Sequence, residues 1–162
     1  MARFRYRLQA VLDQKKEVRE RAQEELTRSL RAQQEAEEIL AQLRNKEQEL
    51  RDKKAELRTE MVTVQASAQE LRRRRDYIQR VGEELDAAGA EVFGQRILVD
   101  ECVENVDRAR LILADAIREA EALEKHREKQ ETEFYAEIER KEALELDEAA
   151  TQSYLRRRGD AN

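Results

Sequence analysis

The sequence predicts an all-α fold, a long antiparallel two-helix coiled-coil hairpin with room for short extra helices at its tip. Three observations carry this. Charged residues make up 43% of the 162 positions and aromatics 4%, with no Pro and no Trp, so the chain can fill a narrow buried seam but not a thick core. Apolar residues recur at alternating steps of three and four. Three of the four glycines, Gly82, Gly89 and Gly94, gather near the chain midpoint, where a reversal would bring two halves side by side.

The first arm is placed at about residues 3–80. From Ala36 the apolar positions run Leu40, Leu43, Leu50, Leu57, Met61, Val64, Ala68, Leu71, Ile78 and Leu85, a sustained heptad pattern. Lys15, Glu47, Lys54 and Arg75 fall on seam positions and interrupt the packing. The opening stretch, FRYRLQAVLDQKKE, carries two signals at once. Arg3, Arg5 and Arg7 alternate with Phe4, Tyr6 and Leu8, as in an extended chain. Phe4, Leu8, Val11, Val18 and Ala22 follow helical spacing. Leu26 and Leu30, spaced by fours, join this segment to the later heptads and read as a stutter.

The tip is placed at about residues 80–95, within a wider window of 60 to 95, and the second arm at about 96–157. That arm carries Val99, Val103, Val106, Leu113, Ile117, Ala120, Leu123, Phe134, Ile138 and Leu144, and Gly159 marks its end. No linker or second domain interrupts residues 1–162. The competing architecture is a parallel dimer of continuous helices. The midpoint glycines favour the hairpin, whose arms of roughly 70–80 residues would reach ~110 Å.

Several function classes are excluded. The net charge is −5, but the signs are mixed along the chain, which argues against a nucleic-acid binder. No apolar run spans a bilayer and no secretory signal opens the chain, so no direct membrane insertion is expected. The single cysteine, Cys102, excludes an internal disulfide, makes the cytoplasm the default location, and reads as a packed thiol flanking the seam beside Val103. No phosphate-cradling glycine loop is present, His126 lies in the solvated EKHREK stretch, and no metal-ligand spacing occurs. Pairs such as Glu49/Lys53, Glu121/Lys125 and Glu137/Lys141 read as helix-surface support. The expectation is a protein that is not an enzyme and holds no cofactor or metal.

Two clusters point instead to partners. In a hairpin the two ends become neighbours, so Phe4, Tyr6 and Leu8 would approach Tyr154 and Leu155. Arg3, Arg5, Arg7, Lys15 and Lys16 would then approach Arg156, Arg157 and Arg158. Cations at a helix N-terminus face an adverse dipole, so the first arginines call for a docking role. The run Arg72, Arg73, Arg74, Arg75 is either a solvated face or a second patch, near the tip, for an acidic partner. Glu70, Asp76, Glu83 and Glu84 dilute it as a membrane or nucleic-acid surface.

Both ends also carry a family likeness. Residues 4–26, FRYRLQAVLDQKKEVRERAQEEL, resemble the opening of the flagellar type III export protein FliJ. Residues 142–159, EALELDEAATQSYLRRRG, are similar to that family's ending. Stalk proteins of virulence-type injectisomes share the layout and are the near alternative. The resemblance implies an antiparallel coiled coil similar to the central stalk of rotary ATPases, at the cytoplasmic face of the inner-membrane export apparatus. It implies as partners the hexameric flagellar export ATPase, the cytoplasmic domain of the export gate, and export chaperones. It makes Phe4, Arg5, Arg7, Leu8, Val11, Tyr154, Arg156 and Arg157 a candidate ATPase-facing surface. It assigns no role to Arg72–Arg75, which rest on charge alone.

Overall fold

Two helices, α1 (Gln9–Thr63) and α2 (Ala68–Gly159), account for nearly the whole chain. The structure, a computed structural model, describes residues 3–63 and 65–159, and the side chains of Leu155, Arg157 and Arg158 lie outside that description. No strand occurs among the described residues. The chain divides into two compact units: an end unit, residues 1–21 with 114–162, and a turn unit, residues 22–113. Within each, a segment of α1 packs against an oppositely directed segment of α2, so the fold is the all-α antiparallel hairpin.

In the turn unit the direction is fixed by cross-helix pairs whose numbers run oppositely. Gln95 Nε2 donates to the Ala36 carbonyl at 3.0 Å, Lys46 Nζ lies 3.4 Å from a Glu91 carboxylate oxygen, and Lys53 Nζ sits 5.4 Å from the Tyr77 ring centroid. Ala22, Ala36 and Leu40 of α1 are buried, as are Val81, Ala88, Val106 and Ala109 of α2. Four of these seven are alanines, small enough to let the helix axes come close. Gln95 is a polar seam residue whose amide is satisfied only in one alignment of the helices. That is how a polar group in a coiled-coil seam fixes register.

The reversal lies between the end of α1 at Thr63 and the start of α2 at Ala68, inside the wider sequence window but not at the expected tip of 80–95. Gly82, Gly89 and Gly94 are helical throughout, with no positive-φ glycine among the described residues. Gly82 and Gly89 instead face α1, where an added Cβ would lie 2.9 Å from Lys54 Nζ and 4.0 Å from Glu47 Oε1, respectively. What starts α2 is a capping box. Ser67 N and Oγ both donate to Glu70 Oε2 at 2.9 Å, and Glu70 N donates back to Ser67 Oγ at 3.4 Å. The Ser-Ala-Gln-Glu spacing of residues 67–70 is legible in the sequence, and it marks the helix start that the glycines suggested elsewhere.

The expected stutter is absent. The less exposed positions of α1 include Leu12, Lys15, Arg19, Ala22, Leu26, Ser29, Gln33, Ala36 and Leu40, strict steps of three and four. Val11, Val18 and Leu30 are instead 41%, 39% and 42% exposed. The apolar residues off the seam suggested a break because Lys15, Arg19, Ser29 and Gln33 occupy it. The same effect appears in α2. Cys102 is on the seam and Val103 points away, and Arg74 rather than Arg75 is half-buried. Val64 lies outside the described residues.

In the end unit, Leu12 of α1 and Ala120 of α2 are fully buried, with Ala116 beside them in the buried set. Lys15–Glu119 at 2.6 Å and Lys16–Glu124 at 3.1 Å clamp the two segments across the seam. Both pairs are partly exposed, so each contributes modestly.

Candidate functional site

The end unit holds most of the residues expected to dock a partner, and their arrangement begins with the non-helical segment 3–6. Its side chains alternate: Arg3 exposed, Phe4 half-buried, Arg5 exposed, Tyr6 buried, Arg7 exposed. The period of two in the sequence is therefore a real local signal, and the helical spacing from Phe4 is not. α1 begins only after Gln9 N donates to the Tyr6 carbonyl at 3.3 Å. The three arginines precede the helix instead of sitting on its first turn.

Phe4 and Tyr6 cover α2. Phe4 meets Phe134 with ring centroids 5.6 Å apart, and Phe134 meets Tyr135 edge-on at 5.5 Å. Tyr6 Oη lies 2.9 Å from His126 Nδ1 and 3.4 Å from the Leu123 carbonyl oxygen. His126, expected in a purely solvated role, is exposed yet engaged by this hydrogen bond. The segment acts as a lid that closes the α1 end of the seam and holds Arg3, Arg5 and Arg7 outward.

This placement corrects the expected meeting of the two ends. The lid contacts α2 near residues 123–134, whereas Tyr154 lies about 30 Å further along the helix. The reason is the position of the reversal. Each residue by which a bend moves toward the N-terminus shifts every cross-helix partner by two. Phe4 and Arg5 lie in the lid, and the exposed Arg7, Leu8 and Val11 follow it into the start of α1. Tyr154, 63% exposed, and Arg156, also exposed, sit on a separate stretch of α2. The Arg157 side chain, with those of Leu155 and Arg158, lies outside the described residues.

Among the described residues nothing packs against that stretch. Every described residue from 139 to 154 is exposed, including Leu144, Leu146 and Tyr154. The sequence shows why α1 has nothing to cover there. Beyond Phe134 the seam spacing falls on Glu137, Lys141, Leu144 and Glu148, of which only Leu144 is apolar, and Ile138 is the last half-buried position. Glu137 and Lys141 pair with each other at 2.9 Å, the expected surface pair, and the contact holds the Glu137 carboxyl below its ordinary value. The helix therefore continues as a solvated single helix with acidic residues along its length and an arginine run at its end.

Arg72–Arg75 lie in the turn unit, in the first turns of α2. Arg72, Arg73 and Arg75 are exposed and Arg74 is half-buried. Among the described residues no group of three His, Cys, Asp or Glu side chains is placed to hold a metal ion. No described helix is long and apolar enough to cross a membrane.

A long antiparallel hairpin of two helices defines a class of all-α coiled-coil proteins. Within that class the chain belongs to the YscO-like family, which matches residues 3–160 under the description YscO-like protein. Among solved structures it is similar to CT670 of Chlamydia trachomatis, described as a YscO homolog. The two share 22% sequence identity and a TM-score of 0.76 over 94% of this chain and 96% of that one. At that identity the likeness concerns the fold. No curated protein matches.

Proposed function

We propose that this protein is a stalk-like component of a type III protein export system, one that engages the hexameric export ATPase through the end unit. The observation that carries this reading is the far end of α2, a helix whose described residues from 139 to 154 are all exposed. Its exposed Leu146, Tyr154 and Arg156 supply apolar and cationic contacts, and the lid presents Arg5 and Arg7 as a second basic element. In this role the chain performs no chemistry. It binds along the axis of a ring and favours assembly of active sites that lie between ring subunits.

Membership of the YscO-like family supports a type III secretion role and is compatible with an injectisome as well as a flagellum. The flagellar reading rests on the likeness of the two ends to FliJ. In either system the chain would work at the cytoplasmic face of the inner membrane, with the export gate and export chaperones as further partners.

The test is ATP turnover by the cognate export ATPase against added protein. Wild type is expected to stimulate at well below one copy per ATPase subunit. Truncation after Ile138 should abolish stimulation while leaving the melting temperature nearly unchanged, because the removed helix is exposed. Changing Arg156, Arg157 and Arg158 to Glu should weaken it, and raising salt should do the same. Full stimulation by the truncated chain would sink the proposal.

A further inference from the structure

The outer face of α2 in the turn unit is unusual for a solvated helix. With Val99, Val106 and Leu113 taken as heptad position a, positions c, f and g face away from or flank the seam. In most coiled coils they are charged. Here Ile97 and Leu98 occupy f and g of one heptad, and Leu111 and Ile112 occupy f and g two heptads later. Their exposures are 46%, 50%, 68% and 60%. The two apolar pairs lie about 21 Å apart along the helix. Between them the c positions are Glu101 and Arg108, both exposed.

This pattern is self-complementary. Turned end over end about a two-fold axis passing between Glu104 and Asn105, the stripe superposes acid on base and apolar on apolar. Ile97 of one copy meets Ile112 of the other, Leu98 meets Leu111, and Glu101 meets Arg108, each pair occurring twice. Among the described residues neither Glu101 nor Arg108 has an ion-pair partner, whereas the neighbouring Asp107 and Arg110 pair with each other at 3.2 Å. Arg108 donates only to Asn105 Oδ1, one turn away at 2.5 Å. A repeated contact of this kind is what an isologous interface requires.

We infer that the Ile97–Ile112 face of α2 binds a second copy of this chain in an antiparallel, two-fold-symmetric pair. The contact is confined to about four turns, so it is a weak, concentration-dependent dimer rather than an obligate one. It lies wholly within the turn unit and does not depend on the proposed ATPase contact.

Sedimentation equilibrium over a wide concentration range tests this. Wild type should rise from the monomer mass toward twice that mass. Glu101→Arg and Arg108→Glu should each weaken association by about tenfold at low salt, because each change converts two facing ion pairs into repulsions. The double variant should regain wild-type association. Leu111→Asp, introduced twice by symmetry, should leave a monomer. All of these positions are exposed, so far-UV helicity should match wild type throughout, which separates loss of dimer from loss of fold. A wild type that stays monomeric up to its solubility limit would leave the stripe to a helix of some other protein and overturn the inference. So would a dimer that survives Leu111→Asp, or one that the double charge swap does not restore.

Discussion

The phenolic oxygen of Tyr6 lies 2.9 Å from Nδ1 of His126, a side chain 120 positions away on α2. The arrangement is satisfied when the imidazole donates from Nδ1 to the hydroxyl oxygen and the hydroxyl proton points at the Leu123 carbonyl. A single side chain thereby fastens the non-helical start of the chain to the opposite helix.

Tyr6→Phe is therefore expected to destabilise the end unit by about 0.5–1.5 kcal/mol, the usual net value of one such hydrogen bond. Tyr6→Ala should cost more, about 3 kcal/mol, because it also empties a buried aromatic site. Urea unfolding monitored by helicity gives both values. If Tyr6→Phe were neutral and Tyr6→Ala were not, the lid would be held by packing alone.

Leu12 and Val11 are adjacent, yet Leu12 is fully buried and Val11 is 41% exposed. Leu12→Ala should cost about 2–5 kcal/mol, and Val11→Ala no more than about 0.5 kcal/mol. Equal losses in thermal unfolding would mean that the seam follows Val11 after all.

That pair also shows what was legible in the sequence. The helical class and the two-helix packing follow from composition and from steps of three and four. The heptad register of α1 from Ala36 onward was legible too, because Leu40, Leu43, Leu50 and Leu57 are all apolar seam residues. Nearer the start the seam is filled by Lys15, Arg19 and Ser29 while Val11, Val18 and Leu30 lie off it, so apolarity and burial part company. The lid was half legible: the alternating exposure of residues 3–6 matches the period of two in the sequence, but its partners depend on where the chain turns. Glycine suggested one turn and the Ser67–Glu70 box supplies another. A helix interior tolerates glycine when long neighbouring helices hold it in place, so glycine alone is a poor marker of reversal.

The Ser67–Glu70 box gives stability a pH dependence. The Ser67 backbone amide and then its hydroxyl donate to the Glu70 carboxylate, and they hold its pKa below the ordinary carboxyl value. A depressed carboxyl pKa contributes stability at neutral pH, above the unfolded value, that is lost as pH falls through the folded value. Glu70→Ala should therefore lower the urea midpoint at pH 7, and the gap to wild type should close in acid. A gap independent of pH would show that the carboxylate charge is not what caps α2.

Gly94 offers the opposite effect. It lies inside α2, and a Cβ added there would meet nothing within 4 Å. Gly94→Ala should raise stability by about 0.5–1 kcal/mol through reduced freedom of the unfolded chain. A fall in melting temperature would mean that this position does need a glycine.

The bare stretch of α2 has a consequence of calibre. Past α1 and the non-helical segment 3–6 that covers α2 as far as Phe134, the end unit narrows to one helix. A lone helix with its side chains is about 10–12 Å across, and a pair with axes 8–10 Å apart is nearly twice as wide. A bore sized for one helix would admit the tail and halt at the shoulder formed by Phe4 on Phe134. The depth of entry would then be set by the position of that shoulder along α2 rather than by the strength of any contact.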